Sequence, residues 1–79
     1  MKLSSAVSQK ILKICQEKNI SVNMLASLCC VTQSTAQSLI DGKSKNPKLL
    51  TIIRVCQGLD IPLKNFFDDS LFDNIERED

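Results

Sequence analysis

Histidine, tryptophan and tyrosine are absent from this 79-residue sequence, and glycine and proline occur only twice each. Because there is no histidine and no pair of cysteines two to four residues apart, the usual ligand set of a zinc site is missing. The scarcity of glycine and proline leaves long uninterrupted stretches. The sequence therefore favours an all-α domain with an aliphatic core and no bound metal.

Long apolar runs are also lacking. No stretch approaches the roughly 18 apolar residues of a membrane span, and the N-terminus lacks the apolar core of a signal peptide. We therefore expect a cytoplasmic protein that does not contact a membrane. Without a glycine-rich phosphate loop or a catalytic constellation, we expect neither an enzyme nor a cofactor.

Negative charge is scarce in most of the chain. Residues 1–64 contain nine Lys or Arg but only three Asp or Glu, whereas residues 65–79 contain one Arg and six acids. A basic body fits an anionic partner such as nucleic acid. A solvated surface with a solubilising tail explains the same charges. The charge distribution alone therefore does not distinguish nucleic-acid binding from simple solubility.

Apolar residues at helical spacing predict five helices, at residues 5–18, 22–29, 33 to 40 or 41, 48–57 and 63–67. The predicted N-caps are Ser4 or Ser5, Ser21, Thr32 and Asn46, with Pro47 in the first turn of the fourth helix. Asn19 and Gly42 are the predicted left-handed stops. The fourth helix is expected to bury Leu49 or Leu50, Ile52, Ile53, Cys56 and Leu59.

The third predicted helix has an unusual outer face, formed by Gln33, Ser34, Gln37 and Ser38. A face selected for solubility alone usually contains Lys and Glu. Gln can pair bidentately with adenine, and Ser can bond to several base edges. The alternative is that this helix is merely polar.

Two short helices joined by a turn of three or four residues indicate a helix-turn-helix. Leu25, Ala26, Val31, Ala36 and Leu39 fall where two such helices must pack at a steep angle. A longer pattern covers residues 21–26 (SVNMLA), 31–35 (VTQST), 41–47 (DGKSKNP) and 59–67 (LDIPLKNFF). With these motifs, residues 5–67 resemble the Cro/cI-type (phage-repressor-like, XRE) family, in particular its small bacterial and prophage members.

The resemblance implies a five-helix lambda-repressor-like domain whose third helix enters the major groove of double-stranded DNA. It also implies a transcriptional regulator, expected to be a repressor and a homodimer. Base-contacting positions carried over from the family are Gln33, Ser34 and Ser38, to which the exposed position of Gln37 adds a fourth. The expected phosphate contacts are Thr32, Lys43 and Lys45, with Asn23 and Lys48 as further candidates.

Three residues depart from the family pattern. Cys30 stands where a glycine is usual, so a positive φ with a strain of about 1 kcal/mol is expected there. Val22 replaces a frequent Gln and cannot brace Gln33. Ala36 is smaller than the usual Ile or Val, so a larger neighbour (Ile40, Met24 or Leu28) is expected to fill the space.

The predicted domains are a helix-turn-helix DNA-binding domain at residues 1–67 and an acidic C-terminal tail at residues 68–79. The candidate dimer surface is formed by Phe66, Phe67, Leu71, Phe72 and Ile75, and the alternative is that Phe66 or Phe67 belongs to the core. The alternative function is a protein-interaction or antitoxin-like module that uses the acidic tail.

The four cysteines, Cys15, Cys29, Cys30 and Cys56, are interpreted as small buried thiols. Cys29 and Cys30 fall in the turn that aims the third helix. A redox sensor at this turn is the alternative, because oxidation there would displace the helix.

Overall fold

The computed structural model describes residues 1–43 and 47–77. Its five α-helices are α1 (Leu3–Lys18), α2 (Val22–Cys29), α3 (Gln33–Asp41), α4 (Leu49–Gly58) and α5 (Leu63–Phe67), and a short 3₁₀ turn follows at Ser70–Phe72. The described residues contain no β-strand, and the prediction of an all-α fold with five helices is confirmed.

The start of α1 differs from the prediction. The helix begins at Leu3, and the N-cap residue is Lys2, which makes no side-chain capping hydrogen bond. Ser4 and Ser5 already lie inside the helix, so the predicted cap was wrong. The predicted end is confirmed, because Asn19 has a left-handed backbone with a φ of 55°.

The start of α4 differs as well. Lys48 is the N-cap residue and has an extended backbone (φ −69°, ψ 143°), and the helix begins at Leu49. Pro47 therefore precedes the helix, and its predicted place in the first turn was wrong. Asn46, the predicted cap, lies outside the described residues.

One apolar core joins the five helices. Its buried members are Val7, Ile11, Ile14, Cys15, Leu25, Ala26, Cys29, Ala36, Leu39, Ile52, Val55, Cys56, Leu59 and Phe66. The helix α1 packs on α3, α2 packs on both α3 and α4, and α5 packs on α4. Through these contacts the core sets the orientation of α3.

The buried stripe of α4 agrees with the prediction only in part, because Ile52, Cys56 and Leu59 are buried but Ile53 is only half-buried. Leu49 and Leu50 are 59% and 57% exposed, whereas Val55 is fully buried. At 3.6 residues per turn, Val55 falls in the same stripe as Ile52, and Leu50 falls on the opposite side of the helix. The prediction that one of these two leucines is buried was therefore wrong.

The segment after α5 folds back onto α1. Asp69 forms ion pairs with Lys10 (2.9 Å) and Lys13 (3.3 Å), and the 3₁₀ turn packs on α1. Phe72 packs against Phe66 and Phe67, with ring centroids 5.9 and 4.9 Å away. These aromatic side chains were predicted from the sequence as part of a dimer surface. They pack with one another instead, and Phe66 is fully buried.

Candidate nucleic-acid interface

The turn between α2 and α3 is built from local hydrogen bonds. Cys30 has a φ of 56°, the left-handed conformation expected at this position. The Cys30 N–H donates to the carbonyl oxygen of Ser27 (3.4 Å), and the Val31 N–H donates to that of Ala26 (3.1 Å). These bonds satisfy the last carbonyls of α2 and direct the chain into α3.

Both helices of this pair start with a side-chain cap, as predicted. The Ser21 Oγ accepts from the Met24 N–H at 3.2 Å, and the Thr32 Oγ1 accepts from the Thr35 N–H at 3.1 Å. The Thr32 hydroxyl also donates to the Thr35 Oγ1 at 2.9 Å. The Thr32 hydroxyl is therefore used within the helix, whereas the amides of Gln33 and Ser34 at the start of α3 have no acceptor within it.

The outer face of α3 consists of uncharged polar side chains and one carboxylate. Gln33, Ser34 and Gln37 are exposed, and Ser38 is half-buried. The Gln37 Nε2 donates to the Oδ1 of Asp41, one helical turn later, at 2.9 Å. Sequence reasoning did not assign Asp41 a function, although Gln and Asp four residues apart is a spacing that forms such bonds.

The end of α3 is fixed to α1 and continues into a lysine. Gly42 ends the helix in a left-handed conformation (φ 72°), and the Ser8 hydroxyl donates to the carbonyl oxygen of Ile40. The Lys43 N–H donates to the carbonyl oxygen of Ser38 at 3.1 Å, while the Lys43 side chain is exposed. The backbone at Lys43 is therefore anchored while its ammonium group faces solvent.

A groove of about 430 Å³ runs between α3 and the start of α4. It is lined by Ser34, Thr35, Ser38, Leu39, Lys43, Pro47, Lys48 and Thr51. Four predicted site residues thus share one concave surface with two hydroxyl groups, Thr35 and Thr51, that the sequence did not single out. Lys45 lies outside the described residues.

Asn23 and the two glutamines do not line this groove. Asn23 is exposed on the first turn of α2, in a shallow depression with Met24, Ser27 and Leu28. Met24 and Leu28 are 51% and 45% exposed, so neither fills the space beside Ala36. Ile40, the remaining candidate, packs against the buried core.

The cysteines divide into two groups. Cys15, Cys29 and Cys56 are buried, but Cys30 is exposed, so the prediction of four buried thiols was wrong for Cys30. Its left-handed backbone lies where the chain leaves the core, and this turns the side chain outward. Burial raises the pKa of the Cys29 thiol to about 11, with smaller contributions from Cys15, Cys30 and Cys56.

Among residues 1–43 and 47–77, no group of three or more His, Cys, Asp or Glu is arranged to bind a metal ion. No helix in these ranges is long and apolar enough to cross a bilayer.

A capped helix pair, joined by a left-handed turn and supported by three further helices, defines a helix-turn-helix protein. The Helix-turn-helix family model matches residues 11–66, which include the second half of α1 and continue into α5. The chain therefore belongs to this family of DNA-binding regulators, and its resemblance to the Cro/cI-type (XRE) group is confirmed. The family is not typically enzymatic.

A solved structure supports the same assignment. The crystal structure of the prophage Lp1 protein 11 is similar to this chain, with a TM-score of 0.79 and 32% sequence identity. The match covers 95% of this chain and 100% of that one. A comparison with curated proteins finds no match.

Proposed function

We propose that the protein is a sequence-specific regulator that inserts α3 into the major groove of double-stranded DNA. The observation that carries this proposal is the groove in which Ser34 and Ser38 of α3 lie beside Lys43 and Lys48. Uncharged hydrogen-bonding groups suit base edges, and flanking ammonium groups suit phosphates. A helix selected only for solubility would not need this arrangement.

The proposed base contacts are made by Gln33, Ser34, Gln37 and Ser38. Gln33 and Ser34 lie in the first turn of α3, the part of a recognition helix that contacts base edges in helix-turn-helix proteins. Gln37 and Ser38 lie one turn further along and extend the polar face. The half-burial of Ser38 limits it to a base that approaches the groove closely.

The proposed phosphate contacts are made by Asn23, Thr32, Lys43, Lys45 and Lys48. Asn23 and Thr32 lie at the N-terminal ends of α2 and α3, where free amides and the helix dipole favour an anion. The side chains of Lys43 and Lys48 are exposed. At Thr32 the backbone amides would make the contact, because its hydroxyl is already used within α3.

We further propose that the protein is a cytoplasmic repressor that acts as a homodimer. A single domain of this size covers little DNA, so two copies on paired half-sites would increase both affinity and specificity. A dimer bound across a promoter would block transcription by occupying it. Residues 1–67 would form the DNA-binding domain and residues 68–79 the acidic tail.

The competing function is a protein-interaction module that uses the tail. Two observations favour DNA binding over this alternative. Phe72 packs within the aromatic cluster of the same chain, and Asp69 is paired with Lys10 and Lys13. The tail residues best suited to a partner are thus already engaged.

The proposal is tested by in-vitro selection of DNA sites from a random pool, followed by titrations of the selected site and random DNA at several salt concentrations. We expect a defined sequence with two half-sites about 34–36 Å apart. Affinity for both DNAs should fall steeply with salt. A pool that shows no enrichment would refute sequence-specific binding, and a single half-site would refute the dimer.

A further inference from the structure

The Gln37–Asp41 hydrogen bond has a specific consequence for base recognition, which rests on the proposed function. We propose that Asp41 is a positioning residue that fixes the side-chain amide of Gln37 and thereby gives Gln37 a preference for adenine. The bond joins the Gln37 Nε2 to the Asp41 Oδ1 at 2.9 Å, and both side chains are exposed on α3.

The orientation of the Gln37 amide follows from the chemistry of the pair. An ionised carboxylate accepts hydrogen bonds and cannot donate them. Asp41 must therefore face the NH₂ group of Gln37 rather than its carbonyl oxygen. One N–H is used by Asp41, and the other N–H and the oxygen remain for a ligand.

This remaining pair of groups matches one purine. In the major groove adenine presents a donor (N6–H) and an acceptor (N7), whereas guanine presents two acceptors, O6 and N7. A Gln37 amide with one free donor and one free acceptor can pair bidentately with adenine. With guanine, the Gln37 oxygen would face an acceptor, and the second donor is already bound to Asp41.

The charge of Asp41 supports a role in hydrogen bonding over a role in affinity. An anion at the C-terminal end of α3 is unfavourable beside the negative end of the helix dipole. An anion on a DNA-facing surface also repels phosphates and weakens binding to every sequence. The Asp41 side chain should therefore lower overall affinity while sharpening base choice, and these two effects can be separated by mutation.

The test compares Asp41→Ala, Asp41→Asn and Gln37→Ala. Each variant is titrated with the selected site, with random DNA, and with a series of sites in which one adenine at a time is replaced by guanine. Gln37→Ala identifies the base pair that Gln37 contacts, because its adenine preference should be lost there by roughly tenfold. Asp41→Ala should lose the preference at the same base pair. Asp41→Asn can accept from the Gln37 amide but can also donate to its oxygen, so it no longer fixes the orientation and should lose part of the preference.

Binding to random DNA tests the charge effect separately. Both Asp41 variants should bind random DNA more tightly than the wild type, and by equal amounts, because both remove one negative charge. Asp73→Asn removes a charge from the segment after α5 and should leave the base preference unchanged. Thermal unfolding of each variant shows whether the fold is retained.

Three results would overturn the inference. The first is an unchanged preference in Asp41→Ala. The second is a loss at a different base pair from that of Gln37→Ala, which would mean that Asp41 contacts a base itself. The third is a full wild-type preference in Asp41→Asn, which would mean that an acceptor-only side chain is not needed to fix the Gln37 amide. If the wild-type protein selects no site at all, the proposed function fails instead.

Discussion

At the scale of single residues, the turn between α2 and α3 gives two adjacent thiols different solvent exposure. Cys30 has a left-handed backbone, and its side chain is exposed. Cys29, its neighbour, is 2% exposed, and its Sγ lies 3.9 Å from the carbonyl oxygen of Val55. Two thiols that are adjacent in the sequence therefore differ in solvent exposure.

We expect alkylation of the folded protein at pH 7.5 to modify Cys30 and to spare Cys29. The thiolate is the reactive form, and a pKa of about 11 leaves very little thiolate at Cys29 at that pH. Iodoacetamide labelling followed by peptide mass spectrometry measures both sites. Labelling in urea is the control, in which both should react, and equal rates in the folded protein would contradict the prediction.

Lys43 tests the proposed phosphate contacts. Its backbone is anchored by the bond to Ser38, so Lys43→Ala should remove the ammonium group without releasing the loop. We expect weaker binding to all DNA and a salt slope lower by about one, because one fewer counterion is released. Lys64→Ala, an exposed lysine on α5, should leave the slope unchanged. An unchanged slope for Lys43→Ala would show that Lys43 does not contact a phosphate.

At the scale of elements, the ends of α2 and α3 could be predicted from the sequence because their caps are local. Ser21 and Thr32 each bond to an amide three residues later, and Gly42 adopts the positive φ that it tolerates best. The start of α4 depends instead on Lys48, which has no capping side chain. The exposure of Leu50 was missed because it depends on which side of α4 faces the other helices.

In the candidate site, too, the features set by local sequence could be predicted and those set by tertiary packing could not. The sequence predicted the polar face of α3 and the basic residues beside it, since both follow from helical spacing and local charge. That Lys48 and Thr51 share a groove with Ser34 could not be predicted from the sequence, because this arrangement depends on the packing of α2 on both α3 and α4. The role of Asp41 emerged only from its bond to Gln37.

At Gly58, α4 lies directly against the backbone of α2, and Gly58→Ala should disturb their packing. A Cβ atom there would lie 2.5 Å from the carbonyl oxygen of Leu28, a backbone atom that cannot rotate away. We expect the free energy of unfolding in urea to fall by about 1–3 kcal/mol. Since α2 leads directly into α3, binding of the selected site should weaken as well.

Gln57→Ala is the matched control for Gly58→Ala. It changes the neighbouring, exposed position of the same helix and should alter the stability by less than about 0.5 kcal/mol. A Gly58→Ala variant as stable as this control would mean that α2 and α4 can move apart without loss of stability.

At the scale of the whole molecule, the described part of the acidic segment, residues 68–77, packs against the helical body. Besides the contacts of Asp69 and Phe72, the Glu76 N–H donates to the carbonyl oxygen of Met1 at 2.9 Å. The contacts of Asp69 and Glu76 join residues more than fifty positions apart, whereas an acidic composition alone indicates a solvated tail. Local patterns cannot reveal such pairing.

Asp69 should make the stability of the protein sensitive to acid. The backbone N–H of Leu71 (3.0 Å), followed by Lys10 and Lys13, holds the Asp69 pKa well below its usual range. The stability that the ionised carboxylate contributes is therefore complete above the ordinary Asp pKa of about 4. It is lost as the pH falls below that value and through the lower folded-state pKa.

Asp69→Asn isolates this contribution, because asparagine still accepts from Leu71 but carries no charge for the two lysines. In urea unfolding from pH 7 to pH 2, the wild type should be the more stable protein above about pH 5. Its advantage should shrink steadily below about pH 4, while the other carboxyl groups titrate equally in both proteins. A constant difference between the two curves would show that the Asp69 carboxylate does not link the tail to α1.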